Sequence, residues 1–251
     1  MSVIVVTGTD TGVGKTVVTA AVAALARTRG ASVAVVKPAQ TGVRPGLPGD
    51  LDEVRRLAGL GDLHEFARYS AALAPATAAR VAGLPAPDLG TCAAQIRSLE
   101  RDLVVVEGAG GLLVRFDDDG ATLADLAHDL GAPVLVTVRS GLGTLNHTAL
   151  TLETMAGRGL DLAGIVIGSW PRRPGLDDLC NVRDLETIAA RPLSGVLRER
   201  SGRLDGPEFL LAARDGLAPH LGGVFDPVRF REDCNARAQT YGELIPREEE
   251  P

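Results

Sequence analysis

Short runs of consecutive apolar residues alternate along this chain with longer stretches in which apolar positions recur at helical spacing. The runs cover residues 3–7, 32–37, 103–107, 133–138, 162–167 and 193–197, and Val, Ile and Leu dominate them. Runs that are apolar at nearly every position describe strands buried on both faces. Between them, residues 15–29, 50–57, 92–99, 123–130, 144–156 and 176–190 read as helices. Strand–helix alternation of this kind predicts a single-domain α/β fold, a mostly parallel doubly wound sheet with helices on both faces. Gly30, Gly59, Gly131 and Gly159 stand where helices should stop, since a left-handed cap costs least without a Cβ. Residues 17–26 are nearly all small and apolar, so the first helix should be buried against the sheet.

Two stretches break the rhythm. Residues 43–49 hold two prolines and two glycines and read as a flexible loop leading to Asp50. Residues 71–88, rich in Ala and Pro, read as a long excursion over the sheet edge. From residue 222 the chain turns polar, which predicts a domain over 1–221, an irregular C-terminal extension over 222–251 and disorder in the last residues.

Composition narrows the class. The chain has 251 residues, 45% of them apolar but only 3% aromatic, so Ala, Val, Leu and Ile must build the core. A net charge of −6 without a basic stripe disfavours nucleic acid as a partner. No apolar run approaches the ~20 residues of a membrane span, and the N-terminus runs into a strand without a signal-peptide pattern. Cys92, Cys180 and Cys234 lie far apart with no C-x-x-C, which predicts small buried thiols in a reducing compartment. These features together predict a soluble cytoplasmic protein.

The basic residues carry more information. Only two of the 26 are lysines, and both stand at or beyond the C-terminal ends of apolar strands, beside glycine- and threonine-rich turns. Lys15 closes Gly8-Thr9-Asp10-Thr11-Gly12-Val13-Gly14-Lys15-Thr16. A strand, a Gly/Thr-rich turn and Gly-Lys-Thr opening a helix form a phosphate-binding loop (P-loop), here one residue longer than usual. Backbone N–H groups of Gly12, Val13 and Gly14 and the helix N-terminus would meet phosphates. Lys15 would reach the β/γ oxygens and the Thr16 hydroxyl a Mg²⁺ ion. The second lysine lies in Lys37-Pro38-Ala39-Gln40-Thr41-Gly42, facing that loop, and reads as a charge for the reacting centre, with Thr41 as a nearby hydrogen-bond donor.

Carboxylates complete the set. Asp50, Asp52 and Glu53 open a helix, and one of them is a candidate Mg²⁺ ligand, although all three equally suit a helix dipole. Glu107 ends a buried strand and continues into Gly108-Ala109-Gly110-Gly111. A buried acid beside a P-loop needs a cation, and a metal ligand fits that need. The turn Gly141-Leu142-Gly143-Thr144-Leu145-Asn146-His147 could bind a carboxylate through free N–H groups or be a plain helix cap. His147 reads as packed or capping, and His64, His128 and His220 show no partner pattern. Trp170, after Gly168-Ser169, could cover the sheet or wall a base pocket. The chemistry on offer is Mg²⁺-assisted phosphoryl transfer from a nucleoside triphosphate.

In this order, the P-loop, Lys37-Pro38-x-x-Thr41-Gly42, Glu107 to Gly111 and Leu142 to His147 resemble the dethiobiotin synthetase family. The resemblance covers residues 3 to about 209. It implies a homodimer that closes the ureido ring of dethiobiotin from 7,8-diaminononanoate, CO₂ and ATP through a carbamate and a carbamic–phosphoric anhydride. It implies Lys15 and Lys37 as the catalytic charges and Thr16, Asp50 and Glu107 as Mg²⁺ ligands. Gly108, Gly110, Gly168, Ser169 and Trp170 would join the P-loop around the nucleotide. Thr11, Lys37, Thr41 and Gly110 would contact the substrate. Gly143, Thr144, Leu145 and Asn146 of the partner subunit would hold its carboxylate.

Two positions depart from the family pattern. Gly12 stands where many relatives carry Glu, and Gly168-Ser169 where many carry an Asn-Asp pair that reads adenine. Base selectivity should therefore be relaxed. The main rival is a partition or division-site ATPase switch, which shares the fold but needs a second lysine near the start of the loop. Asp10 occupies that place.

Overall fold

A computed structural model of the protein describes residues 1–244. The elements in chain order are β1 (Ser2–Gly8), α1 (Lys15–Thr28), β2 (Val33–Lys37), β3 (Gln40–Thr41), α2 (Asp50–Ala58), β4 (Leu63–Glu65), β5 (Arg68–Tyr69), α3 (Pro75–Ala82), α4 (Leu89–Ser98), β6 (Leu103–Glu107), α5 (Leu123–Leu130), β7 (Val134–Val138), α6 (Thr144–Gly157), β8 (Leu162–Trp170), α7 (Leu176–Ala189), β9 (Gly195–Arg198), α8 (Gly206–Gly216) and α9 (Pro227–Leu244). Seven strands form one sheet in the order β4-β2-β6-β1-β7-β8-β9, with β3 and β5 paired separately. Every pairing between these strands is parallel.

Side chains of the central strands alternate strictly between two cores. Val5, Ala34, Val36, Val104, Val106, Val134 and Val136 face one layer of helices. Val6, Val33, Val35, Val105 and Leu135 face the other. Both faces are apolar because both are covered, which is why the strands read as continuous runs and not as alternating ones. In α1 the small residues Ala20, Ala21 and Ala23 are fully buried, so the helix lies close on the sheet. Gly30, Gly59, Gly131 and Gly159 all have positive φ where helices end, as expected.

Four expectations need correction. The C-terminal extension is not irregular over the described residues: residues 227–244 form α9. Phe230, Cys234 and Ala238, at i, i+4 and i+8, give it a narrow apolar stripe against the core, and it packs on α7. The expectation of disorder in the last residues concerns 245–251, outside the described residues. Residues 71–88 include α3, which begins on Pro75 and buries Ala76, Ala78 and Ala79. The loop over 43–49 is tied down, since Arg68 donates to the Leu47 carbonyl at 2.6 Å. Cys92 and Cys234 are buried thiols, but Cys180 is exposed.

Candidate active site

The strand order places β1 at the point where the chain switches direction across the sheet, with β6 on one side and β7 on the other. Ligands of doubly wound sheets bind outside the carboxyl ends of strands at such a point. Here β1, β2 and β6 end in Gly8, Lys37 and Glu107, and Gly168 lies two residues before the end of β8.

The loop after β1 turns through Gly12 and Gly14, at φ 74° and 100°, into α1, whose N-cap has no capping side chain. The first N–H groups of α1 are thus left for an external acceptor. Packing is tight behind the loop: a Cβ on Gly14 would lie 2.7 Å from the Gly168 carbonyl oxygen. Position 14 is therefore glycine, and so is position 168, where a Cβ would run into the Val13 carbonyl oxygen. Lys15 Nζ donates to the Asp10 carbonyl at 2.8 Å. The Asp10 carboxylate in turn accepts from Thr11 N at 2.7 Å and from Arg139 at 2.9 Å. Burial, with Lys37 adding repulsion, lowers the Lys15 pKa to about 8.

Lys37 is the hub of the site. Its ammonium lies 2.8 Å from Glu107 Oε1, 2.6 Å from Asp50 Oδ2 and 3.0 Å from the Gly108 carbonyl. Glu107 has no solvent exposure and Lys37 only 3%. A buried carboxylate without a partner would cost several kcal/mol, and Lys37 supplies the partner. Burial opposes the Lys37 charge, but Glu107 and Asp50 outweigh it and raise its pKa above the ordinary lysine value. Thr16 Oγ1 donates to the same Glu107 Oε1 at 2.8 Å. Glu107 Oε2, equally buried, has no hydrogen-bond partner.

The geometry selects among the three acids of α2. Asp50 reaches Lys37, whereas Asp52 caps Gly49 N and pairs with Arg55, and Glu53 pairs with Arg56. Gln40, a residue the sequence reading passed over, fixes Asp50 in place: its buried amide oxygen accepts from Asp50 N at 2.8 Å.

A cavity of about 600 Å³ opens over this cluster. Of the expected residues, Thr11, Gly12, Gly14, Lys15, Thr16, Lys37, Thr41, Asp50, Glu107 and Gly110 line it. The opening residues of the 71–88 segment, Ala72 to Pro75, form a further wall. Val13 and Ser169 line a neighbouring cleft of about 470 Å³, with Pro171 and Arg139. Trp170 does not wall that cleft. Its indole is buried edge-on against Phe230 of α9, centroids 5.1 Å apart, because the strand pleat turns it away from Ser169. The turn Gly143 to Asn146 lines neither cavity in the single chain. Thr144 Oγ1 donates to the Arg139 carbonyl, and Leu142 stands 86% exposed beside it.

Among the described residues, no group of three or more His, Cys, Asp or Glu side chains gathers as a metal cluster. Thr16, Asp50 and Glu107 offer instead a partial oxygen set, the kind Mg²⁺ completes with water and phosphate oxygens. The orphaned Glu107 Oε2 fits such a role.

Fold and loop together define a P-loop α/β protein built to hold a nucleoside triphosphate. The model of a family described as an AAA domain matches residues 2–201. The ATP-dependent dethiobiotin synthetase of Parafrankia sp. (strain EAN1pec) is 63% identical over 233 residues, 92% of this chain and 98% of that one. That of Streptomyces avermitilis is 55% identical over 232 residues, again 92% and 98%. The chain belongs to the ATP-dependent dethiobiotin synthetase family. Among solved structures, the septum site-determining protein MinD of Pyrococcus horikoshii covers 98% of the chain and is itself 99% covered, with a TM-score of 0.52. At 17% identity that likeness shows the fold alone. The partition or division-site reading is correspondingly the less supported one.

Proposed function

We propose that the protein closes the ureido ring of dethiobiotin from 7,8-diaminononanoate, CO₂ and a nucleoside triphosphate, releasing a nucleoside diphosphate and phosphate. The observation that carries this reading is the convergence of both lysines and two acids in one cavity beside the P-loop. One substrate amine, combined with CO₂ as a carbamate, attacks the γ-phosphorus through its oxygen. The bond to the β–γ bridging oxygen breaks and the diphosphate leaves. The second amine then attacks the carbonyl carbon of the mixed anhydride, and its C–O bond to phosphate breaks.

Each residue has a task in that sequence. Lys15 and the α1 N-terminus hold the triphosphate, and Lys37 balances the charge where carbamate meets γ-phosphate. Thr16, Asp50 and Glu107 are the residues that would hold Mg²⁺, which when bound neutralises and aligns phosphate oxygens. Thr11, Thr41 and Gly110 face the substrate side. Gly108 fixes Lys37 through its carbonyl. Gly168, Ser169 and Pro171 shape the base cleft, with the Trp170 side chain acting only from behind. The turn Gly143 to Asn146 caps the cavity of a partner subunit in a homodimer. Exposed Leu142 and Leu150 beside that turn support such a contact. Small-molecule substrates and uncrosslinked cysteines suit the cytoplasm.

The test is incubation with diaminononanoate, bicarbonate, Mg²⁺ and a nucleotide, with mass spectrometry for dethiobiotin. Formation of dethiobiotin and nucleoside diphosphate in equal amounts is the expected result. Nucleotide hydrolysis without dethiobiotin would overturn the reading.

A further inference from the structure

Two of the three groups assigned above to a divalent ion already hold a cation that belongs to the protein, and the third is hydrogen-bonded to one of them. Lys37 Nζ contacts Asp50 Oδ2 and Glu107 Oε1, and Thr16 Oγ1 shares that same Glu107 oxygen. Glu107 Oε1 therefore accepts two hydrogen bonds, which fills its lone pairs, while Oε2 accepts none. The local charge balances only with both lysines: Asp50 and Glu107 face the Lys37 ammonium, and Lys15 is close enough to feel both acids and to repel Lys37. A divalent ion entering this free site would stand beside two ammonium groups, and the excess positive charge opposes it. A triphosphate removes that obstacle by bringing compensating negative charge.

We infer that Lys37 is the resident occupant of the cation site, and that the divalent ion, arriving with the triphosphate, displaces its ammonium from Asp50 and Glu107 into the cavity. The inference rests on the proposed reading of Thr16, Asp50 and Glu107 as metal ligands. It gives Lys37 two positions. In the free protein it holds the acids in place of the metal, and in the loaded protein it is freed to meet the reacting oxygens. Metal binding and the delivery of Lys37 are then one event, so a triphosphate bound without metal leaves Lys37 where it is.

The two-lysine composition makes this directly observable. Protein labelled with ¹³C at the lysine ε carbon gives two side-chain signals, assigned with one Lys37→Met variant. A non-hydrolysable triphosphate in EDTA should shift the Lys15 signal alone, and adding Mg²⁺ should then shift the Lys37 signal. A Lys37 signal that moves with the triphosphate alone, or stays fixed when Mg²⁺ joins, overturns the exchange. A second measurement reads the same event from the metal side. Without nucleotide, Lys37→Met should bind Mn²⁺, followed by the loss of its free EPR signal, at least about tenfold more tightly than the unaltered protein. Equal affinities overturn the inference. Dethiobiotin formation, measured on the same labelled sample, separates the two readings: product with an unmoved Lys37 signal refutes the exchange and leaves the enzymatic reading intact.

Discussion

The Lys37 ammonium lies 2.8 Å from a Glu107 carboxylate that has no solvent exposure, and each group is tolerated in the interior because of the other. The strand register explains how they meet. β2 and β6 are neighbours in parallel, and both end in their charged residue at the same edge of the sheet.

Charge alone is not what Lys37 supplies. The site fits a point ammonium among three oxygens, and a planar guanidinium cannot reproduce that contact. Lys37→Arg should lower turnover by roughly a thousandfold with a far smaller change in nucleotide KM. Near-normal turnover in steady-state assays would remove Lys37 from the reacting centre.

Lys15 has a pH signature. Its pKa near 8 in the free protein lies below the ordinary lysine value, so above pH 8 the side chain is increasingly neutral. A bound triphosphate favours the charged form, so binding should take up a proton in the window above pH 8, between the free and bound pKa values. Below pH 8 this uptake should fade, because Lys15 is already protonated. Calorimetry in buffers of different ionisation enthalpy measures the proton count, and Lys15→Met should abolish it.

Gly168→Ala tests the packing behind the P-loop. The new methyl group would lie 2.6 Å from Thr137 Cγ2 and closer still to the Val13 carbonyl, so the loop must shift. Triphosphate affinity should fall by at least about tenfold, because a close-packed interior cannot absorb the added carbon. An unchanged dissociation constant would mean that the loop tolerates displacement.

Gln40→Ala removes the buried acceptor of Asp50 N. A lost hydrogen bond of this kind costs about 1 kcal/mol of stability. If the amide also places Asp50 for metal, Mn²⁺ affinity in the presence of a triphosphate analogue should drop by about tenfold. A lowered Tm with unaltered Mn²⁺ affinity would reduce Gln40 to a helix cap.

Base selectivity should be weak. Ser169 and Pro171 line the cleft beside the P-loop and Trp170 is turned into the core, so β8 brings a single hydroxyl to a base edge, and the cleft's charged lining, Arg139, Asp177, Asp178 and Glu199, comes from other segments. ATP, GTP and CTP should differ by less than about 100-fold in kcat/KM, since large discrimination needs dedicated hydrogen bonds. A larger preference for ATP would show that other residues read the base.

How much of this was legible in the sequence follows from burial. The six strands predicted from apolar runs all form, because a strand covered on both faces must be apolar throughout. β4 escaped notice because it is a three-residue edge strand, Leu63–Glu65, partly exposed and ending in His64 and Glu65. α9 was hidden by its charges, although the spacing of Phe230, Cys234 and Ala238 was a readable signal. At the site, Lys15, Thr16, Lys37 and Glu107 stood out as charged or hydroxyl groups at strand and loop ends. Gln40 carried no such signal, since its role depends on a loop that folds back to bring Asp50 beside it. The choice of Asp50 over Asp52 and Glu53 likewise depends on which way one helical turn faces.

The ion pairs around Lys37 have a consequence for an enzyme that handles CO₂. Carbon dioxide adds to neutral amines and not to ammonium groups, so every unprotonated lysine at the site competes with the substrate for it. Asp50 and Glu107 hold Lys37 protonated and thereby shield it from self-carbamylation. With arginine at the other 24 basic positions, the remaining side-chain amine is Lys15, which its pKa near 8 keeps mostly protonated at neutral pH. A protein nearly free of lysine therefore presents CO₂ with few amines of its own.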